Sequence, residues 1–316
     1  MKVVITGSLG HIGSRLIHSL KPGSFETVRL IDNLSTQRYP SLFNLPRDVS
    51  FHFIQDDICI ADLNAYFKGF DVVVHLAAVT DAESSIDQKD LVEATNFAGT
   101  ERVAKACLEN GCRLLFPSTT SVYGSQEQVV DESCPAEGLK PQSPYAESKL
   151  RAERLITQLG EDHQLRFVIC RFGTIFGPSI GMRFHTAVNK FIWQACLGQA
   201  ITVWRTAMNQ KRPYLDLSDA VNSILFILEN DLFDNQIYNI VTANCTVKEV
   251  VDTIGRYLKE PEVKYVDSKI MNQLTYTVLS DKFKKTGFCF SGALDQGIGD
   301  TIRLLEGIVR KYDPPI

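Results

Sequence analysis

The amino-acid sequence predicts an α/β protein in which a doubly wound parallel sheet is followed by a smaller mixed α/β lobe. The first observation is a series of short strands that are apolar throughout, as expected for strands buried on both faces of a sheet. The second is that helical patterns separate these strands, which is the order of repeated βα units. The third is a glycine-rich turn after the first strand, at Gly7, Gly10 and Gly13.

The elements of the first part follow in a regular order. The expected strands lie at residues 2–6, 27–31, 49–54, 71–75, 112–117 and 166–171. The helical patterns between them lie at residues 11–20, 60–67, 87–109 and 145–158. The first helix is expected to end at Lys21-Pro22-Gly23, because proline and glycine do not continue a helix.

After about residue 172 the alternation becomes irregular. Helical patterns at residues 184–197, 218–229, 247–258 and 294–305 are mixed with short strands. We therefore expect a first domain at residues 1–172, with segments near 215–245 returning to it, and a smaller lobe at 173–316. Because no Pro/Gly/Ser-rich linker separates the two lobes, they should pack closely.

Composition and charge argue against several classes of protein. The 316 residues carry a net charge of −4, with 44% hydrophobic and 22% charged residues, which is ordinary for a globular protein. No basic stripe suggests nucleic-acid binding, and no apolar run approaches the ~18 residues of a membrane helix. The apolar run at the N-terminus is too short for a signal peptide, so a cytoplasmic location is expected.

The cysteine and histidine patterns predict neither disulfides nor a metal site. The eight cysteines include no C-x-x-C pair and lie mostly in apolar surroundings, as reduced core thiols do. The six histidines show no spacing typical of metal ligands.

The glycine turn has the context of a dinucleotide site. It follows a strand and opens a helix, where free N–H groups and the helix dipole favour a pyrophosphate. Asp32 ends the second strand about 20 residues on, where a carboxylate can accept hydrogen bonds from ribose hydroxyls and repel the 2′-phosphate of NADP. A turn-capping role is the alternative for Asp32. No arginine directly follows it, since Arg38 is six residues away, and NAD is therefore favoured.

The spacing G-x-x-G-x-x-G resembles that of the extended short-chain dehydrogenase/reductase family. The resemblance continues in order along residues 1–180, in Asp57-Ile58, His75-Leu76-Ala77-Ala78, Asn96-Phe97-Ala98-Gly99-Thr100 and the segment 118–124, S-T-T-S-V-Y-G. It implies a Rossmann fold and an NAD-dependent enzyme acting on a nucleotide-linked sugar. The cofactor-binding residues that it implies are Gly7, Gly10, His11, Ile12, Gly13, Asp32, Asn33, Asp57, Ile58, Leu76, Ala77, Ala78, Asn96, Lys149 and Phe172.

Tyr145 and Lys149 form a Y-x-x-x-K pair, whose members share one helix face. The resemblance makes them the catalytic pair, with Tyr145 as general base. A free tyrosine has a pKa of about 10, so base action at pH 7 requires about 4 kcal/mol. A lysine charge about 6 Å away supplies about 3 kcal/mol at an effective dielectric near 20. The positive nicotinamide ring could supply the rest, so the base should form only with oxidised cofactor bound.

Thr119 matches the hydroxyl-bearing position of the family, with Ser118 as a neighbouring substitute. Its implied role is a hydrogen bond to the reacting sugar oxygen; the alternative for both hydroxyls is to satisfy loop backbone. The related 4,6-dehydratases carry T-D-E here, and the decarboxylating relatives also use an acid. Residues 119–121 read T-T-S, without a carboxylate. Epimerisation or ketone reduction is therefore favoured.

The second lobe carries the implied substrate contacts. Residues 171–178 resemble R-Y-F-N-x-x-G-P of the epimerases, with Thr174 where many members have Asn. Arg212 matches an arginine that grips the nucleotide pyrophosphate, and its fork suits a phosphate. Tyr276 matches a position that limits room for an N-acetyl group, and core packing is the expectation for Trp193. The substrate-binding residues expected are Thr80, Thr119, Tyr145, Thr174, Arg212, Lys269 and Tyr276.

The leading hypothesis is a nucleotide-sugar epimerase, most simply a 4-epimerase, which works through a transient keto-sugar with tightly bound NAD. The first alternative is a nucleotide-sugar reductase or dehydrogenase that exchanges NAD(P)H at each turnover. The second is a non-catalytic nucleotide-binding regulatory protein, because a fold alone does not establish a function. The resemblance also implies a homodimer built on the helices at 87–109 and 145–158.

Overall fold

The computed structural model describes residues 1–81, 84–124, 129–258, 261–267 and 276–308. The strands are β1 (Lys2–Thr6), β2 (Thr27–Asp32), β3 (Phe51–Gln55), β4 (Val72–His75), β5 (Arg113–Thr119), β6 (Val129–Val130), β7 (Phe167–Phe172), β8 (Thr174–Phe176), β9 (Ile201–Trp204), β10 (Lys211–Asp216), β11 (Gln236–Ile240), β12 (Ala243–Thr246), β13 (Val263–Val266) and β14 (Thr277–Val278). The helices are α1 (His11–Ser19), α2 (Leu63–Phe67), α3 (Lys89–Val92), α4 (Gly99–Asn110), α5 (Pro144–His163), α6 (Ala187–Cys196), α7 (Leu217–Glu229), α8 (Val247–Tyr257), α9 (Asp281–Lys284) and α10 (Leu294–Leu305).

The main sheet has seven strands in the order β3-β2-β1-β4-β5-β7-β11, and every pair in it is parallel. The predicted doubly wound α/β fold is therefore confirmed. The strand order reverses between β1 and β4. In open α/β sheets such a reversal leaves a crevice at the carboxyl ends of the strands, where ligands bind.

Helices cover both faces of this sheet. On one face α1 and α7 enclose an apolar core that includes Leu16 and Ile224, and on the other α2, α4 and α5 enclose a core that includes Phe67 and Ile156. The first residue of a helix differs from the expected position where a capping side chain sets the start of the helix. The helix expected from residue 60 begins at Leu63, because the Asp62 side chain accepts a hydrogen bond from Ala65 N at 3.1 Å.

The long helix expected at residues 87–109 is not one regular helix. It begins at Lys89, and a π-helical turn at Glu93–Ala98 joins α3 to α4. A wider turn of this type is frequent near functional sites. Here it carries Asn96 toward the loop that follows β4.

The second lobe is built around a third core between α6, α8 and α10. A small sheet has the order β12-β10-β8, and β9 pairs with β13. Of the segments near 215–245, β11 joins the main sheet and α7 packs against it, whereas β12 belongs to the small sheet. The division of the chain at residue 172 stays a prediction. No helix within the described ranges is both long and apolar enough to cross a membrane.

Candidate functional site

The glycine turn lies at the crevice where the strand order reverses. Gly7 has a φ of +63°, and a Cβ added there would lie 2.5 Å from the backbone nitrogen of Ala77 in the loop after β4. Only glycine fits such an approach. Gly10 is the N-cap of α1 and offers no side chain to its N–H groups, so this end can receive an anion. The buried Ser8 hydroxyl has no hydrogen-bond partner among the described residues.

Asp32 lies at the carboxyl end of β2, beside this turn. Its Oδ2 accepts a hydrogen bond from Leu9 N at 3.1 Å, and its Oδ1 accepts one from Leu34 N at 2.9 Å. Asp32 therefore does cap this turn, and the ribose contact expected of its carboxylate stays a prediction. Next to it, Asn33 Nδ2 donates to Asp57 Oδ2 at 3.0 Å, which joins the ends of β2 and β3.

The ionised form of the Asp57 carboxylate is stabilised by its hydrogen bonds. Partial burial alone would raise its pKa, but hydrogen bonds from Cys59 N–H and from Asn33 lower the pKa overall. Ile58, which follows it, is buried against the helix that begins at Gly99. The implied adenine contacts of Asp57 and Ile58 stay predictions.

His75 and Asn96 are buried residues that join neighbouring segments through hydrogen bonds. His75 is fully buried between the hydroxyls of Thr6, at 2.7 Å, and Thr100, at 3.0 Å, and burial lowers its pKa to about 3. The Asn96 amide pairs with both Val79 N and Val79 O, at 2.8 and 2.9 Å, and is also fully buried. Asn96 thus holds the loop that contains Ala77, Ala78 and Thr80, and the direct cofactor contact expected of Asn96 stays a prediction.

The predicted catalytic pair, Tyr145 and Lys149, lies on the first turns of α5. Ser143 caps this helix by accepting a hydrogen bond from Ala146 N at 3.2 Å, and Pro144 is its first residue. Tyr145 is hydrogen-bonded to the Thr119 side chain at the end of β5. Lys149 Nζ donates to Pro117 O at 2.9 Å. The structure thus brings Tyr145, Lys149 and Thr119 together at the carboxyl edge of the sheet.

Burial acts against both charges of the pair. It raises the pKa of Tyr145 to about 12, although the hydrogen bond with Thr119 opposes this, and it lowers the pKa of Lys149 to about 7. Lys149 lies 4.4 Å from the Phe116 ring centroid and is only 3% exposed. The expectation that the lysine supplies most of the shift needed by Tyr145 is therefore not met by the chain alone.

At the end of β5 and just after it, side-chain hydroxyls form hydrogen bonds with the backbone. Thr119 Oγ1 accepts from Ser121 N at 3.1 Å, and Thr120 Oγ1 donates to Phe172 O at 3.3 Å. The Ser118 hydroxyl is buried and has no partner in the part of the chain that the structure describes. Phe172, at the end of β7, is also buried.

Tyr276, one of the residues predicted to bind substrate, contacts this segment. Tyr276 is buried and donates a hydrogen bond from its hydroxyl to Thr120 O at 3.1 Å. Arg212, on β10, donates to Gln210 Oε1 at 3.0 Å, and no acid pairs with it in the described ranges. Burial lowers the pKa of Arg212, and the charges of nearby tyrosines raise it. Thr174 begins β8 beside β10. Lys269 lies outside the described residues.

Basic residues around the glycine turn were not identified from the sequence. Arg38 Nη1 lies 3.4 Å from where a Cβ on Gly10 would be, and Arg183 Nη2 donates to Thr80 Oγ1 at 3.3 Å. Burial, followed by the charge of Arg183, lowers the pKa of Arg38 to about 10. Two neighbouring cations of this kind favour a bound anion. Only folding brings residues 38 and 183 together, so no local sequence signal identifies the pair.

The second lobe also touches the glycine turn directly. His11 Nε2 donates to Gly177 O at 2.8 Å, and burial lowers the pKa of His11 to about 4, so this imidazole is neutral. Ser179 Oγ donates to His11 O at 2.9 Å, and Gly181 N donates to Ser14 Oγ at 3.0 Å. The segment from Gly177 to Gly181 therefore covers the start of α1.

This fold and site define a class: Rossmann-type enzymes with a tyrosine–lysine pair beside a dinucleotide crevice. The chain belongs to the NAD-dependent epimerase/dehydratase family, whose model matches residues 3–241.

Known relatives include proteins named as epimerases and proteins named as dehydratases. A Bacillus subtilis (strain 168) protein named uncharacterized UDP-glucose epimerase YtcB is 31% identical over 80% of this chain and 81% of its own. The dTDP-D-glucose 4,6-dehydratase of Mus musculus is 29% identical over 95% of this chain and 87% of its own. The solved UDP-glucose 4-epimerase of Thermus thermophilus, in complex with NAD, has a TM-score of 0.84 and 25% identity, covering 97% of this chain and 99% of that one.

Proposed function

We propose that this protein is a nucleotide-sugar epimerase, most simply a 4-epimerase, that keeps one NAD tightly bound. The observation that carries the proposal is the grouping of Tyr145, Lys149 and Thr119 at the carboxyl edge of the main sheet, with no carboxylate in residues 119–121. An elimination needs an acid and a base there, whereas an epimerisation needs only redox chemistry and a proton shuttle. The sequence likeness to proteins named as UDP-glucose epimerases supports the same reaction.

The residues present fit NAD. The turn at Gly7 packs directly against the Ala77 backbone at the crevice, and the buried hydroxyl of the neighbouring Ser8 has no partner among the described residues. Arg38 and Arg183 offer charge to the pyrophosphate, and Asp32 offers acceptors to the adenosine ribose. Bound NAD would supply reversible oxidation of a sugar carbon, together with a positive ring.

Tyr145 takes the proton of the sugar hydroxyl and returns it to the same oxygen. Thr119 hydrogen-bonds this oxygen, and Lys149 stabilises the phenolate. Because burial raises the pKa of Tyr145 to about 12, a further positive charge is needed before it ionises near neutral pH. The tyrosine therefore becomes a base only when the oxidised cofactor is in place.

Arg212 is the proposed clamp for the nucleotide pyrophosphate of the substrate, assisted by Lys269. Its fork is half-buried and lacks an acidic partner within the described ranges, as a site for an external phosphate requires. The bulk of Tyr276, which is held against Thr120, favours a sugar without an N-acetyl group.

The first test is to identify the cofactor that accompanies the protein. Protein purified without added cofactor is denatured, and the released nucleotide is identified by chromatography. We expect near-stoichiometric NAD⁺. A panel of UDP- and dTDP-sugars, followed by NMR, should then show interconversion of two sugars that differ at C4. An empty protein that takes up NADPH in preference to NAD⁺ would overturn the epimerase and favour a reductase.

We also propose a cytoplasmic homodimer, formed through α3 and α5. These helices border a groove of about 380 Å³ that is lined by both members of the Arg151–Glu93 ion pair. Leu91 lies on α3 between two lining residues, Asp90 and Val92, and is 52% exposed. Light scattering should give twice the chain mass, and Leu91→Glu should shift the protein toward monomer. Ile60→Glu, at a site 81% exposed and outside the groove, is the matched control. A monomeric wild type would refute the dimer.

A further inference from the structure

A buried ion pair lies behind the catalytic helix. Arg171 Nη2 donates to Glu153 Oε2 at 2.7 Å, and Arg171 Nε donates to both carboxylate oxygens at 3.1 and 3.2 Å. The two side chains are only 4% and 2% exposed. Buried pairs of this kind often add little stability compared with apolar residues. Its presence next to Lys149 therefore requires another explanation.

We propose that Glu153 is a positioning residue that keeps Lys149 protonated, and that Arg171 holds the Glu153 carboxylate in place for this purpose. The inference rests on the proposed function, since it concerns the same proton-transfer site.

Helix geometry places the three side chains in a row. Tyr145, Lys149 and Glu153 follow one another at intervals of four residues on α5, so they lie on one face of the helix. Arg171 reaches Glu153 from β7, where it lies in register with Ser118 of β5, and its guanidinium carbon is 4.9 Å from the Tyr123 ring centroid. The Glu153 charge raises the pKa of Lys149, opposing its burial.

The other groups around Lys149 bring no negative charge. From β5 it meets the Pro117 carbonyl and the Phe116 ring, and from β4 it meets His75, which is neutral because burial lowers its pKa to about 3. Arg171, on β7, is a cation. On its own helix Tyr145 is protonated in the absence of a bound cation. Glu153 is therefore the acid that supports Lys149 among the described residues.

The need for such support follows from the chemistry. Burial lowers the pKa of Lys149 to about 7, so the charge of this lysine is already marginal at neutral pH. The positive ring that helps Tyr145 to ionise also repels the Lys149 ammonium group. A neutral lysine could not stabilise the phenolate, so a nearby carboxylate is needed to retain the proton.

The test compares Glu153→Gln with the double variant Glu153→Gln/Arg171→Met. In the single variant Lys149 loses a negative neighbour and faces an unpaired Arg171, so the pKa of Lys149 falls. The basic limb of the pH profile of kcat should move to lower pH by about 1 to 2 pH units, as expected for one charge at about 6 Å and a dielectric near 20. The acidic limb should move up, because Tyr145 ionises later. Glu147→Gln, at an exposed position on α5, should leave the profile unchanged.

The double variant separates the electrostatic role from a structural one. It removes both buried charges, so its thermal stability should recover toward wild type. Under the proposal its basic limb stays shifted in the same direction, by less than in Glu153→Gln. A double variant with a wild-type profile would mean that the pair is structural only, and would overturn the proposal.

A spectroscopic readout does not depend on turnover. Tyrosinate absorbance near 295 nm is titrated in the NAD-loaded protein, and the Tyr145→Phe protein is subtracted. The Tyr145 signal should appear at higher pH in Glu153→Gln than in wild type. If this signal and the kcat profile are both unchanged while Tyr145→Phe is inactive, only this inference fails. If Tyr145→Phe retains full turnover, the proposed function itself fails.

Discussion

Replacing Tyr145 with Phe should lower kcat by about a thousandfold or more while bound NAD and the fold are retained. A positioned general acid or base contributes about 10²- to 10⁴-fold, and Tyr145 serves as both in the proposed cycle. The ring remains and only the hydroxyl hydrogen-bonded to Thr119 is lost, so stability should change little. The measurement is kcat with the active nucleotide sugar, beside the nucleotide released on denaturation.

Tyr238→Phe provides the matched control. Tyr238 is a buried tyrosine on β11, the edge strand of the main sheet, and its hydroxyl donates to Asp234 Oδ2 at 2.5 Å. This variant loses one hydrogen bond but should keep its turnover. If Tyr145→Phe were as active as Tyr238→Phe, the proton would have to move through another group.

The second large effect is expected for Gly7→Ala, which should yield a less stable protein that holds less than a tenth of the wild-type NAD. Gly7 has a φ of +63°, and the added Cβ would lie 2.5 Å from Ala77 N and 2.6 Å from Ala77 Cα. Left-handed backbone costs about 1 kcal/mol for alanine, and overpacking against rigid backbone costs about 1–3 kcal/mol more. We therefore expect the free energy of unfolding to fall by roughly 3 kcal/mol. Denaturant unfolding of cofactor-free protein measures this change.

Gly23→Ala separates the cost of left-handed backbone from the cost of overpacking against a neighbouring loop. Gly23 has a φ of +79°, but a Cβ there would meet nothing within 4 Å. Only the backbone cost of about 1 kcal/mol should appear, and NAD content should stay at the wild-type level. If Gly7→Ala behaved like Gly23→Ala in both measurements, the close approach of the two loops would not matter for the cofactor.

The sequence by itself determined the parallel sheet, the order of its elements and the positions of the glycine turn and the Tyr145–Lys149 pair. These features depend on local patterns. Apolar runs identify strands buried on both faces, and a four-residue spacing on a helix places two side chains on one face. Their roles in binding and catalysis stay predictions from resemblance.

The tertiary structure alone decided the surroundings of these residues. It pairs Glu153 with Arg171, brings Arg38 near Arg183, and turns the Asn96 amide onto the Val79 backbone. It also raises the pKa of Tyr145, where a lysine neighbour alone suggests a lower value. The physical reason is that burial and contacts between distant parts of the chain set the pKa of each group. Neither can be predicted from the local spacing of residues.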